Sequence, residues 1–254
     1  MRIIAVVNQK GGSGKTTTSV NLSATLAEAK KKVLLIDLDP QASSSVWLGF
    51  KSHSKNLYDL FTGGNILNNI IEKTKINNVN LVPSSSFLAG AEKALANDVG
   101  AENILKEKIN ALQKNNWDYV LIDCPPALGI LSINALTAAS EIIIPVETHV
   151  MALHGLVQLL RTINLVKGRL NPNLAITGIL PCRVDLRTKH SHEVIKQLIS
   201  RFENRVLATR IRENIKLAEA PLHRKTILEY GKNSHGAEDY RLLANEIIAQ
   251  EKKL

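Results

Sequence analysis

The feature of this sequence that most constrains its fold is a loop rich in glycine and lysine directly after the first apolar segment. Residues 3–7 are apolar, and residues 10–17 read Lys-Gly-Gly-Ser-Gly-Lys-Thr-Thr before a helical pattern begins at Thr16. Glycines let the backbone turn so that several N–H groups point inward, which makes an anion-binding site at a helix N-terminus. This strand–loop–helix unit predicts a phosphate-binding loop.

The remainder of the chain alternates short, apolar, β-branched runs with longer amphipathic stretches. Continuous apolar runs are typical of strands covered on both faces, and strand–helix alternation predicts a mostly parallel sheet with helices on both faces. The predicted strands are residues 3–7, 33–36, 79–82, 119–122, 142–146 and 175–180. The predicted helices are residues 16–29, 89–96, 101–113, 131–139, 153–166, 193–202 and 237–250. No linker rich in Pro, Gly or Ser divides the chain, so we predict a single α/β domain of the P-loop NTPase class over residues 1–254.

The glycine-rich loop has side chains suited to a nucleoside triphosphate. Lys15 supplies a mobile positive charge for the β- and γ-phosphates, and the Thr16 hydroxyl is placed to ligate Mg²⁺. The usual pattern has Gly five positions before Gly14, but this chain has Gln9 there and a second cation at Lys10. The alternative, a tight turn with incidental lysines, is disfavoured because the glycine and lysine requirements are met together. The predicted nucleotide contacts are Lys10, Gly11, Gly12, Ser13, Gly14, Lys15, Thr16 and Thr17.

Two further loops bring carboxylates to the carboxyl edge of the predicted sheet, where parallel α/β sheets bind their ligands. Asp37 and Asp39 follow the second apolar run, and residues i and i+2 of a strand share a face. One carboxylate could hold Mg²⁺ while the other orients the attacking water. Asp123 ends the run 119–122 and is placed to act on Mg²⁺. The alternatives are a polar strand end before a common Asp-Pro turn, and a chance acid at the end of a strand.

The charge of the chain is unevenly distributed. Residues 1–149 contain 14 basic and 13 acidic residues, whereas residues 150–254 contain 18 basic and 10 acidic residues. This asymmetry indicates a polyanionic partner such as nucleic acid for the second half, although a basic face that maintains solubility is the alternative. Only two cysteines are present, and no apolar run approaches the ~18 residues of a membrane span. We therefore expect a cytoplasmic protein.

The loop 10–17 resembles the deviant Walker A loop of the ParA/MinD superfamily of ATPases. The strings Asp-Leu-Asp-Pro-Gln at 37–41 and Asp-Cys-Pro-Pro at 123–126 resemble its next two signatures. This resemblance implies an ATPase with weak intrinsic activity that uses ATP and Mg²⁺. It further implies that Lys10 reaches the partner's nucleotide in an ATP-bound homodimer and that Asp39 positions the hydrolytic water.

Two segments of the basic half also resemble ParA proteins, namely residues 182–189 and 210–221. In that family the second segment borders the adenine, and basic residues of both segments contact DNA. The resemblance therefore implies that Asn214 contacts the base and that Arg187 and Lys216 contact DNA.

The second of these segments departs from the family pattern. Arg212 and Glu213 stand where Pro and a basic residue are usual, and Arg224-Lys225-Thr226 stands where Gly-Lys-Pro is usual. The resemblance is thus more specific at the phosphate site than at the adenine pocket.

The resemblance covers nearly the whole chain and implies a DNA-partition ATPase of the small, Soj type, without an additional N-terminal DNA-binding domain. Its expected partners are nonspecific double-stranded DNA and a ParB-type protein that stimulates hydrolysis, in the cytoplasm on the nucleoid. Three alternatives stay open. A membrane-associated MinD-like regulator is disfavoured by the polar tail 250–254. A metabolic P-loop enzyme would need an acceptor pocket, and a scaffold that never hydrolyses would not need Asp39.

Overall fold

A seven-stranded sheet forms the centre of the protein. The computed structural model describes residues 1–50, 57–63, 66–112 and 116–251. The strands are β1 Arg2–Val6, β2 Val33–Asp37, β3 Glu72–Lys73, β4 Val79–Val82, β5 Tyr119–Asp123, β6 Glu141–Glu147 and β7 Ala175–Cys182. The helices are α1 Lys15–Glu28, α2 Ser43–Trp47, α3 Leu57–Thr62, α4 Ala91–Ala94, α5 Ile104–Asn110, α6 Ile130–Ala138, α7 Val150–Arg169, α8 Lys189–Phe202, α9 Ile215–Glu219, α10 Ile227–Tyr230 and α11 His235–Gln250.

The strand order in this sheet is β3-β4-β2-β5-β1-β6-β7. Every neighbouring pair is parallel except β3 and β4, which are antiparallel. The register aligns Asp37 at the end of β2 with Asp123 at the end of β5. The mostly parallel sheet predicted from the sequence is therefore confirmed, and its carboxyl edge gathers the ends of β1, β2 and β5.

The sheet is buried on both faces, as continuous apolar strands require. Alternate residues of β2 enter different layers: Leu34 and Ile36 pack in the layer that includes apolar side chains of α6, α7 and α8. Val33 and Leu35 pack in the layer that includes side chains of α1 and α11. The two helical layers hold the sheet's carboxyl edge in a fixed position, so the loops that leave it start from rigid supports.

All six predicted strands are present within two residues of their expected ends. The seventh, β3, was not predicted because its two residues, Glu72 and Lys73, are exposed. The predicted helix 89–96 is instead a 3₁₀ turn, Ser86–Gly90, followed by the short α4. The predicted helix 101–113 begins as a 3₁₀ turn and continues as α5, and Gln113 lies outside the described residues.

The remaining predicted helices correspond to α1, α6, α7, α8 and α11. Across the described ranges, no helix combines the length and the apolar character needed to cross a membrane. The last three residues of the polar tail, 252–254, lie outside those ranges.

Candidate functional site

The phosphate loop joins β1 to α1 at the centre of the sheet. Gly12 and Gly14 have φ of +73° and +97°, in the left-handed region that favours glycine. Gly14 is the N-cap of α1, and no side chain caps that helix. Ser13 is buried, and its hydroxyl has no hydrogen-bond partner among the described residues. The loop therefore offers backbone N–H groups and a buried hydroxyl to an anion at the helix N-terminus.

Lys15 is buried at the start of α1, although it carries the charge expected to meet phosphates. Its Nζ donates to the carbonyl of Lys10 at 3.2 Å. Burial lowers the pKa of Lys15, while the carboxylates of Asp123 and Asp39 act in the opposite direction. The ammonium group is thus held inside the loop, where a phosphate would complete its hydrogen bonds.

The carboxylates of Asp37 and Asp123 lie next to each other at the ends of β2 and β5 and are fully buried. Asp37 Oδ2 accepts hydrogen bonds from the N–H and the hydroxyl of Ser45, each at 2.7 Å. Asp123 accepts from the hydroxyls of Ser44 at 2.7 Å and Ser19 at 3.1 Å, and the nearby Thr16 side chain acts to lower its pKa. The structure therefore brings the predicted metal ligands Thr16, Asp37 and Asp123 together.

Burial raises the pKa of both carboxylates, and repulsion from Asp123 raises that of Asp37 further. A divalent cation would relieve this repulsion. Among the described residues no three His, Cys, Asp or Glu side chains form a metal-binding group. This arrangement fits Mg²⁺, which typically takes one or two carboxylates and completes its shell with water and substrate phosphates. Thr16, Asp37 and Asp123 are therefore suited to a nucleotide-associated Mg²⁺.

Asp39 lies in the loop that follows β2. Its backbone N–H donates to Asp37 Oδ1 at 3.3 Å, and its Oδ1 accepts from the N–H of Gln41 at 2.9 Å. The side chain is 9% exposed, so a small part of it stays accessible to solvent. A fixed carboxylate beside the buried pair is suited to orienting a water molecule.

A cavity of about 810 Å³ opens beside the phosphate loop. The loop contributes Gly12, Gly14 and Thr17 to its lining. The opposite wall comes from the end of β7 and the segment before α9, and includes Asn214 and Arg187. Apolar side chains complete it, among them Val184, Ile211, Ile215 and Leu217. An apolar cleft with some polar groups is suited to a nucleobase, and Asn214, the predicted base contact, is one of its lining residues.

Lys10 forms an ion pair that the sequence did not predict. Its Nζ lies 2.7 Å from Glu147 Oε2, at the end of β6, and Glu147 Oε1 also lies 2.7 Å from Arg183 Nη1. The hydrogen bond from Lys10 is the main cause of the lowered pKa of Glu147. The loop lysine is therefore paired with an acid of the same chain. The only sequence signal was that Glu147 follows an apolar strand at the ligand-binding edge.

The two predicted DNA-contacting residues are both exposed, but their surroundings differ. The Arg187 side chain is 87% exposed and makes two hydrogen bonds of 2.9 Å to Asp185. These bonds lower the pKa of Asp185 to about 2. Lys216 lies in α9, where its backbone N–H donates to the Asn214 side chain at 2.9 Å. Asn214 therefore orients the start of the helix that carries Lys216.

Arg212 makes contacts that explain why this chain tolerates a residue other than Pro there. Its guanidinium donates to both carboxylate oxygens of Asp239, whose side chain is 3% exposed, and to Glu238. The arginine, which is itself a lining residue of the cavity, neutralises a buried acid of α11 and so joins the cavity wall to that helix.

The comparisons with known proteins agree with this geometry. The AAA domain family matches residues 1–176. The sporulation initiation inhibitor protein Soj of Bacillus subtilis (strain 168) is 44% identical over 250 residues, which cover 98% of each chain. The chromosome-partitioning ATPase Soj of Treponema pallidum (strain Nichols) is 43% identical, again over 98% of each chain.

The solved structures include a cobyrinic acid a,c-diamide synthase from Mycobacterium smegmatis with bound ADP and magnesium. It has a TM-score of 0.87 and 35% sequence identity, covering 99% of this chain and 96% of that one. The two Soj proteins are 44% and 43% identical to this chain over nearly its full length. The chain therefore belongs to the Soj/ParA family of chromosome-partitioning ATPases.

Proposed function

We propose that this chain is a Mg²⁺-dependent ATPase of DNA partition, formed by one domain over residues 1–254, that works in the cytoplasm on the nucleoid. Its ATP-bound homodimer binds double-stranded DNA without sequence preference, and hydrolysis stimulated by a ParB-type partner releases it. The observation that carries this proposal is the meeting of a phosphate loop, a buried cation and two buried carboxylates at one edge of the sheet.

The nucleotide binds with its phosphates in the loop 10–17 and its base in the adjoining cavity. Lys15 neutralises the β- and γ-phosphates, and the N–H groups at the start of α1 donate to phosphate oxygens. Thr16, Asp37 and Asp123 hold the Mg²⁺. When bound, that ion neutralises charge on the phosphates as the γ-phosphoryl group is transferred. Asn214 contacts the base at the far end of the cavity.

Asp39 positions the water that attacks the γ-phosphate. Support for this role comes from its place beside the metal-ligating pair and from the two hydrogen bonds that fix its loop. The bond to Asp37 comes from the Asp39 backbone, and the carboxylate of Asp39 is not among the proposed metal ligands, so removal of that carboxylate should affect hydrolysis more than nucleotide binding.

Lys10 contacts the partner subunit's nucleotide after the dimer closes. It must first leave Glu147, but this ion pair is partly exposed, since the Lys10 side chain is 43% exposed. Exposed pairs of this kind contribute about 0–1 kcal/mol. A phosphate of the partner subunit is a stronger acceptor for the ammonium group, so the exchange favours the closed dimer.

DNA binding uses the basic half of the chain, with Arg187 and Lys216 among its contacts. Two observations support this assignment of DNA binding: both side chains are exposed, and residues 150–254 carry a net charge of +8 from 18 basic and 10 acidic residues. Contacts to phosphates give affinity without sequence preference. A dimer presents each contact twice and therefore binds much more tightly than a single chain.

The experiment that tests this function measures affinity for an arbitrary DNA duplex by fluorescence anisotropy, with ATP, with ADP and without nucleotide, over a range of salt concentrations. We expect tight binding with ATP, and weak binding with ADP or without nucleotide. Arg187→Ala and Lys216→Ala should each weaken binding on all sequences and reduce the log–log salt slope of the dimer by about 1.8, for two phosphates lost. Lys75→Ala, in the turn between β3 and β4, is the matched control. Equal affinity in all three nucleotide states would refute the proposal.

A further inference from the structure

The short helix α2 (Ser43–Trp47) contacts both carboxylates of the metal-binding pair. The Ser44 hydroxyl donates to Asp123 at 2.7 Å. The Ser45 N–H and hydroxyl both donate to Asp37, at 2.7 Å each. One five-residue helix therefore touches the two predicted Mg²⁺ ligands that lie on different strands.

These contacts determine where α2 lies. A helix this short is not stable by itself. Its N-cap is Ala42, a non-glycine residue with φ of +53°, and no side chain caps it. The helix is therefore held by tertiary contacts, and the three hydrogen bonds to carboxylates are among the strongest kind available to it. A cation coordinated by the same carboxylate oxygens would change those hydrogen bonds.

The opposite end of α2 is joined to a basic segment, residues 223–225. Trp47 is 4% exposed, and its indole N–H donates to the carbonyl of Lys225 at 2.8 Å. A side chain added at Gly49, just after the helix, would lie 3.9 Å from the Arg224 side chain. The turn after α2 therefore lies close to the Arg224 side chain of the basic segment.

The basic segment has a second connection, to the phosphate-loop helix. The N–H of Ile227 donates to Asn21 Oδ1 at 2.8 Å, and Asn21 Nδ2 donates to the carbonyl of Thr17 at 2.9 Å. Asn21 thus ties the start of α10, two residues after the segment, to α1. Movement of α2 relative to α1 would therefore strain or shift the backbone from Lys225 to Ile227, which joins the two connections and includes the last residue of the basic segment.

We propose that Trp47 is a positioning residue that transmits occupancy of the Asp37/Asp123 pair to the basic segment 223–225. This inference rests on the proposed function in one respect, that the pair binds Mg²⁺ with a nucleotide. The link runs from the carboxylates through Ser44 and Ser45 to α2, and then through the Trp47 indole to the Lys225 carbonyl. By reciprocity, a polyanion that binds the segment changes the affinity for the Mg²⁺–nucleotide by the same factor.

The chain's two tryptophans make the link directly measurable. Trp117 lies just before β5, at the amino end of that strand, whereas α2 contacts its carboxyl end at Asp123. Trp117→Phe therefore leaves Trp47 as the single tryptophan and leaves position 47 unaltered. We expect the Trp47 emission of this variant to change when Mg²⁺ is added with ATP, and not with ATP in EDTA. An emission that does not respond to Mg²⁺ and ATP would overturn the proposal.

A second measurement tests transmission beyond the indole. Hydrogen exchange of the backbone amides in residues 220–227 is followed with and without Mg²⁺ and ATP. We expect exchange to slow about fivefold in the natural protein and in Trp117→Phe, the scale of one hydrogen bond. Trp47→Phe retains an aromatic ring but loses the N–H donor, so it should lose this protection while still binding the nucleotide. Equal protection in Trp47→Phe would show that the indole transmits nothing.

This design separates failure of the link from failure of the proposed function. If ATP does not change the DNA affinity of the natural protein, the proposed partition function is refuted. Loss of amide protection in Trp47→Phe would still support the link in that case. DNA affinity could instead depend on ATP while Trp47→Phe shows the same hydrogen-exchange protection as the natural protein. That result would refute the link and leave the proposed partition function supported.

Discussion

Replacing Asp37 by asparagine should stabilise the metal-free protein while weakening its response to Mg²⁺. Asp37 and Asp123 are buried at the ends of adjacent strands, and the repulsion between them contributes to the raised pKa of Asp37. Asparagine has nearly the same shape as aspartate but no charge. The substitution therefore removes the repulsion without leaving a cavity.

The size of this effect can be worked out from the contacts. Adjacent strands lie ~4.8 Å apart, and two unit charges ~5–6 Å apart repel by about 3 kcal/mol at an effective dielectric constant of ~20. The amide oxygen of the introduced asparagine can accept both Ser45 donors, but its NH₂ group then faces the N–H of Asp39. Losing that acceptor costs about 1 kcal/mol. The net gain is about 2 kcal/mol, or roughly 4–8 °C in Tm for a chain of this size.

The gain should depend on pH in a defined direction. Both carboxyl groups have a pKa above their ordinary value in the folded state, because burial disfavours their charged forms. The folded protein therefore binds these protons more tightly than the unfolded chain. Their contribution to stability is fully present below the ordinary carboxyl pKa and is lost as the pH rises through the raised values. The advantage of Asp37→Asn should therefore be smaller at about pH 6 than at about pH 8.5.

Thermal unfolding followed by circular dichroism in EDTA measures this directly. Asp98→Asn, at an exposed carboxylate away from the pair, is the matched control and should leave Tm nearly unchanged. Added Mg²⁺ should raise the Tm of the natural protein more than that of Asp37→Asn. A Tm for Asp37→Asn below that of the natural protein at about pH 8.5 in EDTA would refute the assignment of mutual repulsion.

Three further substitutions test individual side chains. Lys15→Ala should abolish ATP binding in calorimetric titration, since it deletes the buried cation of the loop; undiminished affinity would contradict this. Asp39→Ala should bind ATP normally but hydrolyse it about 10²–10⁴-fold more slowly in single-turnover assays, and normal turnover would remove its assigned role. Arg212→Ala leaves the buried Asp239 without its cation and should cost about 3–5 kcal/mol of unfolding free energy in urea; a loss no larger than that of the exposed control Arg201→Ala would contradict this.

The features that could be predicted from the sequence are those in which the position of a residue in the sheet determines its type. Strands β2 and β5 are apolar almost throughout because both faces are covered, and each ends in an acid at the carboxyl edge of the sheet. Parallel topology then forces Asp37 and Asp123 to the same edge as the phosphate loop. No knowledge of side-chain contacts was needed for that prediction.

The parts that escaped prediction depend on contacts between distant segments. Helix α2 contains three consecutive serines, which are poor helix formers, and it exists because Ser44 and Ser45 find acceptors on two other strands. Glu147 binds Lys10 across 137 positions of the chain. Neither contact leaves a local pattern, so periodicity and composition could not reveal them.

The position of β1 between β5 and β6 has a consequence during synthesis. Arg2 pairs with Tyr119, and Ile4 pairs with Glu141. At ~5–20 residues per second, the first strand leaves the ribosome roughly 6–23 s before the strand that pairs with Arg2 has been made. Through that interval an apolar strand and the glycine-rich loop have no sheet to join, and Asp123 has not yet been added. Nucleotide therefore cannot guide the early stages of folding; it can only stabilise nascent chains that have already passed residue 123.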